Sequence, residues 1–341
     1  MERRKFLGAA GVGALAAGVL ATARPASAAA EYNWRMANLY PRGTSYGVVY
    51  QGLADWIEKA SNGRIHIDVL FDGEGVGATE VLQATAAGLV EVGCPYMALH
   101  AGELPAGIVE LGLPGGARYL DGLLALFYRG GWIETLTEAY ASIGLQYVAP
   151  YFQPAVYLIT NKPLNTLADL NGMKIRAPGG YGKFMAQFGA QPVTMAFSET
   201  YTALATGVID GCCSSNLIDY RDGKFYEIAK YFYPVRATES QVSPLVMNKG
   251  VWDGLPQDLK DIITLAGIWH GNAEANESTI SVGAAVKEME AGGMVWGKGP
   301  DDADKAKWKA AADALLPEYE KSDPFSAKLV QQQREFLAKT I

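Results

Sequence analysis

The feature that most constrains this sequence is a unit that occurs twice. Residues 82–93 read as a helix closing on Ala86-Ala87-Gly88, followed by a strand beginning Leu89-Val90-Glu91. Residues 201–211 repeat the arrangement as Ala205-Thr206-Gly207 and Val208-Ile209-Asp210. In each copy a glycine stands just past the helix end, where the backbone turns left-handed at least cost. Two such units about 120 residues apart predict two lobes built alike. Strands alternating with helices around them predict an α/β class with parallel sheets.

The rest of the chain fits that plan. A strand is expected at 34–38 and a helix at 43–60, where Val48, Val49, Leu53, Ala54 and Ile57 recur at helical spacing. Ile65, Ile67 and Val69 alternate with His66 and Asp68 as a strand does. A turn rich in glycine (Gly73, Gly75, Gly77) leads to a helix at 79–87 and a strand at 89–94. A second series holds strands at 155–161, 173–177 and 192–195, with a helix at 181–189. After Pro256 a broken apolar stripe runs through Ile262, Ile263, Ala266, Trp269, Ala273, Ile280, Val286 and Met289 to Gly292-Gly293. A single helix there would be roughly 54 Å long and would reach across both lobes; two helices broken near Gly271 give the same pattern. Beyond Asp323-Pro324 comes a last amphipathic helix with Leu329, Val330, Phe336 and Leu337. Its apolar face must dock on its own body or on a partner chain.

The first thirty residues stand apart. Arg3-Arg4-Lys5-Phe6-Leu7, an apolar run and Ala26-Ser27-Ala28 have the order of an export signal with a small-residue cleavage site. The arginine pair resembles a twin-arginine signal. The same run, retained, would be a membrane anchor. The leader carries Arg3, Arg4, Lys5 and Arg24 against Glu2, a surplus of three positive charges. Without it the net charge of −7 becomes −10. No basic patch offers itself to nucleic acid. The remaining length, about 310 of the 341 residues, suits two lobes. Seven Trp and eighteen Tyr can line a pocket as well as a core. Three cysteines, Cys94, Cys212 and Cys213, are too few to staple the fold. Cys212 and Cys213 are either two small buried side chains or a strained vicinal disulfide.

No familiar catalytic pattern is assembled. His66, His100 and His270 have no metal-ligand spacing, and H-E-x-x-H, G-x-S-x-G and C-x-x-C are absent. This argues against an enzyme. Gly73-Glu74-Gly75-Val76-Gly77-Ala78 fits the dinucleotide pattern G-x-G-x-x-A, but Glu91 lies inside the next strand and not at its end. A turn at the lip of a sheet explains the glycines equally well. Arg176 ends the strand Met173-Lys174-Ile175-Arg176, and ligands of α/β sheets bind beyond the carboxyl ends of strands. Its fixed fork of donors suits a carboxylate, and a structural salt bridge would use the same fork. Cys213-Ser214-Ser215-Asn216 follow the strand of the second copy and offer polar groups to a ligand or a cap to the next helix. Pro95-Tyr96 occupy the matching place in the first copy.

Three spaced motifs carry a resemblance. Ser61-Asn62-Gly63-Arg64-Ile65, Gly172-Met173-Lys174-Ile175-Arg176-Ala177-Pro178 and the run from Tyr201-Thr202-Ala203 through Ile209-Asp210-Gly211 resemble the DctP-type solute-binding proteins of TRAP (tripartite ATP-independent periplasmic) transporters. Asn248-Lys249, Trp252 and Leu255-Pro256 extend the match over essentially the whole chain after the leader. The nearest branch is the twin-arginine-exported, keto-acid-binding one. The resemblance implies a two-lobed periplasmic-binding-protein fold with crossover strands, a lobe-spanning helix and a C-terminal helix. It divides the chain into a leader at 1–30, lobe I at 31–153 plus about 242–265, lobe II at 154–241 plus about 266–318, and a final helix at 319–341. It implies an exported, periplasmic receptor that closes on a small monocarboxylate and hands it to the membrane permease subunits, with a homodimer through the last helix as a further partner contact.

By the same resemblance Arg176 grips the ligand carboxylate. Ser214, Asn216, Cys213 and Tyr157 stand at pocket positions, and Tyr40, Tyr96, Phe152 and Gln153 line the cleft. The keto-acid branch has Glu-Trp after the Ile-Asp-Gly strand, where the glutamate helps to bind a metal ion; here the residues are Cys212-Cys213-Ser214. Gln153 and Gln241 remain as possible oxygen ligands, and no other cofactor is implied. The missing Trp implies a roomier pocket and a ligand larger than pyruvate, aromatic or branched. Two other readings fit an exported chain: a cofactor-containing enzyme, and a ligand-sensing subunit of a signalling system.

Overall fold

A computed structural model describes residues 30–114 and 120–340. The expected leader lies outside the described residues except for Ala30. No helix among the described residues is long and apolar enough to cross a membrane. The chain forms two sheets, each with helices packed against it. Lobe I contains β1 (Tyr32–Asn38), β2 (Ile65–Leu70), β3 (Val92–Cys94) and β4 (Leu145–Gln153). Lobe II contains β5 (Val156–Thr160), β6 (Lys174–Arg176), β7 (Gln191–Val193), β8 (Gly211–Ser215) and β9 (Tyr231–Thr238). The chain then returns to lobe I as β10 (Gln241–Asn248) and to lobe II as β11 (Val295–Trp296). The strand orders are β2-β1-β3-β10-β4 and β11-β9-β5-β8-β6-β7.

The sheets are mixed, not parallel throughout as the alternation of elements predicts. β1, β2 and β3 run parallel, as do β6, β7 and β8. β10 is antiparallel to β3 and β4, and β5 is antiparallel to β8 and β9. The reason is the hinge. β4 and β5 are almost continuous, separated by Pro154-Ala155, and β9 and β10 by Glu239-Ser240. A chain that crosses from one sheet into the other without turning back enters each as a strand of opposite sense.

The twelve helices are α1 (Ser45–Ala60), α2 (Val81–Ala86), α3 (Ala106–Leu111), α4 (Leu120–Arg129), α5 (Trp132–Ala141), α6 (Gly180–Ala186), α7 (Thr200–Ala205), α8 (Leu217–Asp222), α9 (Lys249–Asp253), α10 (Gln257–Ala291), α11 (Asp302–Ser322) and α12 (Pro324–Thr340) among the described residues. The repeated unit is α2–β3 and α7–β8. Gly88 and Gly207 both have φ of +73°, the left-handed turn that favours glycine. The acids after them do the same work. Glu91 Oε2 accepts the Arg35 backbone N–H of β1 at 2.7 Å, and Asp210 Oδ2 accepts the Lys174 backbone N–H of β6 at 2.9 Å. Each carboxylate ties the unit to the neighbouring strand, so the repeat is a structural device. β8 begins at Gly211, later than the expected strand, because residues 207–210 form that turn.

α10 is one helix of 35 residues, without a break at Gly271. A Cβ on Gly271 would stand 2.5 Å from the Pro150 carbonyl oxygen, and one on Gly267 would stand 3.0 Å from Ala149 Cβ. Both glycines let α10 lie directly on β4. Leu259, Ile263 and Ala266 are buried with lobe I, and Met289 is buried with lobe II. Ala275 and Ala285 are buried in a core cluster that has residues of both lobes. Trp269 and Ile280, counted in the apolar stripe, are exposed; Trp269 stacks on Trp56 at 5.8 Å.

α12 docks on its own chain. Leu329 and Val330 are fully buried, Trp132 Nε1 donates to the Leu329 carbonyl at 3.1 Å, and Gln332 Nε2 donates to the Gly131 carbonyl at 3.1 Å. α11, before it, stacks Trp308 on Phe188 and sets it edge-on to Phe184 of lobe II.

Candidate functional site

The parallel strands of both sheets end toward one cleft. β1 leads into Leu39 and Tyr40, β3 into Tyr96, β6 ends on Arg176 and β8 on Ser214 and Ser215. These residues, with Phe197, Asp219 and Gln241, line a pocket between the lobes. Asn38 shapes the turn into it. Its Oδ1 accepts the Tyr40 N–H at 2.8 Å and its Nδ2 donates to the Leu70 carbonyl at 3.0 Å.

Arg176 is the largest charged side chain in the pocket and is 1% exposed. Nε and Nη2 both donate to the Met195 carbonyl, at 3.3 and 3.1 Å, and Nη1 donates to Ser214 Oγ. Its guanidinium lies 5.8 Å from the centre of the Phe197 ring. Three of its five N–H donors are thus held by neutral acceptors. One N–H on Nη1 and one on Nη2 remain to be donated to a ligand. No carboxylate among the described residues forms an ion pair with it.

Asp219 is the residue that sequence reasoning missed. It lies in the first turn of α8 and is 4% exposed. Asn216 caps that helix: its Oδ1 accepts the N–H groups of Ile218 and Asp219 at 2.9 and 3.1 Å, and its Nδ2 donates to Asp219 Oδ2 at 3.0 Å. Burial, reinforced by the nearby Asp222 charge, pushes the Asp219 carboxyl up to about 8; Arg176 and Arg221 only partly oppose this.

The expected site residues separate into two groups. Arg176, Ser214, Tyr40, Tyr96 and Gln241 come together in the pocket. Tyr96 donates its hydroxyl to the Ser214 carbonyl at 3.2 Å across the cleft. The others are placed elsewhere. Phe152 packs edge-on against Phe127 in the core of lobe I, 5.3 Å between ring centres. Cys213 faces the core, because successive strand side chains alternate: Cys212 and Cys213 enter different core clusters. Both thiols are free, so no vicinal disulfide forms. Asn216 is a helix cap. Tyr157 and Gln153 line a neighbouring cavity at the hinge. There Arg236 Nε donates to the Tyr157 hydroxyl at 3.1 Å, and Gln153 Nε2 donates to the Tyr40 hydroxyl at 2.8 Å, supporting the pocket wall from behind.

The lobes are closed on this pocket. Asp222 Oδ2 of lobe II accepts the Ser45 backbone N–H at 2.7 Å, Arg221 Nη2 donates to Ser45 Oγ at 2.8 Å, and Ser198 Oγ donates to Asp72 Oδ2 at 2.7 Å. Gly179, at φ +57°, lies where a Cβ would stand 2.9 Å from the Ala98 carbonyl oxygen of the other lobe. The enclosed space is about 10 Å³, roughly one water molecule's worth. Tyr40, Tyr96 and Phe197 line that space.

The glycine-rich turn at 73–77 is bound to its own lobe. Gly73 and Gly75 have φ of +84° and +99°, and Glu74 between them takes a two-pronged contact from Arg42 at 2.9 and 2.7 Å. With Glu91 committed to the Arg35 backbone, the dinucleotide pattern lacks its ribose partner.

A match to the DctP family model, bacterial extracellular solute-binding protein family 7, covers residues 36–322. The chain belongs to this family. It is 26% identical over 262 residues to the monocarboxylate 2-oxoacid-binding periplasmic protein of Nostoc sp., covering 76% of this chain and 72% of that one. Among solved structures it resembles DctP7 of Bordetella pertussis, a receptor binding pyroglutamic acid (TM-score 0.80, 21% identity, 89% and 99% of the two chains). It also resembles a TRAP solute-binding protein from Pseudoalteromonas atlantica with bound sodium and pyruvate (TM-score 0.83, 24% identity, 91% and 94%). The mixed α/β, two-lobed architecture is that of these receptors.

The pocket residues of this chain do not suit a metal ion. A hard cation takes six or more oxygen ligands, with carboxylates preferred. Among the described residues Asp219 is the one carboxylate lining the pocket, and no group of three His, Cys, Asp or Glu is assembled. The expected pair is not assembled either: Gln153 is outside the lining, and Gln241 turns its Nε2 to the Ser214 carbonyl at 3.4 Å.

Proposed function

We propose that this protein is the extracytoplasmic receptor of a TRAP transporter, that it closes on a small organic monocarboxylate gripped by Arg176, and that it delivers this solute to the membrane permease subunits. The observation that carries the reading is Arg176 itself. A buried guanidinium with no anionic partner among the described residues is costly by several kcal/mol, and two of its N–H groups remain to be satisfied. A ligand carboxylate supplies both the charge and the acceptors. The Nostoc relative's monocarboxylate and the pyroglutamate and pyruvate of the structural neighbours are ligands of that chemistry.

The reading includes export. The Arg3-Arg4 leader would direct a folded chain outward and be removed near Ala28; N-terminal sequencing of the secreted protein tests this. A homodimer through α12 forms no part of the proposal, because its apolar face already covers lobe I. We assign the protein transport and no catalytic step.

The test is a thermal-shift screen of the mature protein against small carboxylates, run beside Arg176→Ala. A binder of the folded state raises the melting temperature by mass action. Stabilisation of the wild type by one class of acid, with none in the variant, is the expected outcome. Equal shifts in both proteins would remove Arg176 from the site.

A further inference from the structure

The pocket holds two opposite charge-bearing groups, and only one of them is accounted for by a carboxylate ligand. Asp219 Oδ2 is occupied by the Asn216 amide. Among the described residues no donor reaches Oδ1, and no cationic side chain pairs with the carboxyl. The metal ion that could have answered this acid does not suit the pocket. The donor it lacks is therefore to be found on the solute.

We infer that Asp219 recognises a nitrogen-borne donor, an ammonium or N–H group, close to the carboxylate held by Arg176, so that the receptor takes amino-acid-like solutes in preference to 2-oxo acids. This rests on the carboxylate reading above and narrows it. Arg176 at the end of β6 and Asp219 in the first turn of α8 line the same pocket, whose walls are Tyr40, Tyr96 and Phe197. A zwitterion laid between them satisfies both groups with a charge-assisted pair at Asp219, whereas the carbonyl oxygen of a 2-oxo acid can take only the weaker neutral hydrogen bond from the protonated acid. Recognition by a buried hydrogen-bonding group discriminates strongly against analogues that cannot pair with it. The local bond to Asn216 does not compete, since it uses the other oxygen and fixes the carboxyl in place. The raised affinity of Asp219 for its proton adds a signature: an incoming ammonium ionises the acid, and the proton leaves to solvent.

Calorimetric titration of the full mature protein tests this with matched probes: L-alanine against pyruvate and L-lactate, L-valine against 2-oxoisovalerate, and L-proline and pyroglutamate. Each is titrated with EDTA and with calcium chloride. The expected result is that a nitrogen-bearing member binds at least about tenfold more tightly than its 2-oxo partner, with no calcium requirement. Asp219→Asn should weaken that member about tenfold or more and leave 2-oxo acids within about threefold, whereas Arg176→Ala removes both. A guard against a misfolded variant is the wild type alone, whose order of preference between each amine and its 2-oxo partner needs no substitution.

Tighter binding of 2-oxo or hydroxy acids, or a calcium requirement, overturns the inference and leaves the carboxylate reading standing. If no probe binds, both fall.

Discussion

Glu110 is a second buried acid, and its consequence is for stability. It is fully enclosed beneath β4, accepts the Tyr140 hydroxyl at 2.6 Å on Oε2, and has no partner on Oε1. Burial pushes its carboxyl from 4.5 up to about 8, with the hydrogen bond from Tyr140 and the nearby Tyr147 hydroxyl opposing. The unfolded chain gives up this proton near pH 4.5 and the folded chain keeps it until about pH 8. Between those values the unfolded state binds fewer protons, so stability falls as pH rises through the window and is greatest below it. Asp219 contributes in the same sense. Glu110→Gln, a neutral mimic of the protonated form, should flatten the fall by ~3 kcal/mol between pH 5 and 8, read from urea unfolding at each pH. An unchanged slope would mean that Glu110 is ionised in the folded protein. The contrast between Arg176 and Asp219 shows how far residues could be read from the sequence. Arg176 ends a strand and is followed by Ala177-Pro178-Gly179, so its position beyond a sheet is legible. Asp219 sits one turn into a short helix, and only closure of the lobes makes it a pocket residue.

At the scale of elements, α10 sets two glycines of one helix against each other. Gly271 lies against the Pro150 carbonyl, while Gly283 is exposed with nothing within 4 Å of a built Cβ. Gly271→Ala should therefore destabilise the protein by about 1–3 kcal/mol. Gly283→Ala should stabilise it by about 0.5–1 kcal/mol, by removing backbone freedom from the unfolded chain. Chemical denaturation of the two variants checks both signs. The same pair explains what sequence reading leaves open here. A glycine that breaks a helix and one that lets it touch a strand look alike until the strand is in place. Local signals carried further: the α2–β3 and α7–β8 repeat is readable because Gly88 and Gly207 end helices through backbone geometry alone. The antiparallel entries of β5 and β10 are not, because strand sense across a hinge depends on where two distant segments meet. Tyr157 and Gln153 stand at the hinge and Phe152 in the core behind it.

At the scale of the molecule, ligand affinity is the product of the pocket's contacts and the population of the closed form. The hinge is three crossings: β4 to β5, β9 to β10, and α10. Closure is held by a few polar bonds at the rim, among them the Ser45 hydroxyl with Arg221 and the Ser198 hydroxyl with Asp72. Neither serine lines the pocket, and both are neutral, so their removal leaves the charges around Arg176 and Asp219 unchanged. The double variant Ser45→Ala/Ser198→Ala loses two interlobe hydrogen bonds, each worth about 1 kcal/mol. It should bind every ligand up to about thirtyfold more weakly, chiefly through faster release, with the order of preference among ligands preserved. X-ray scattering should show the ligand-free variant more expanded than the wild type and the two alike once saturated. A changed order of preference would mean that the rim shapes the pocket itself; a uniform loss assigns it to the equilibrium between open and closed lobes, the quantity a receptor must spend when it opens to release its solute.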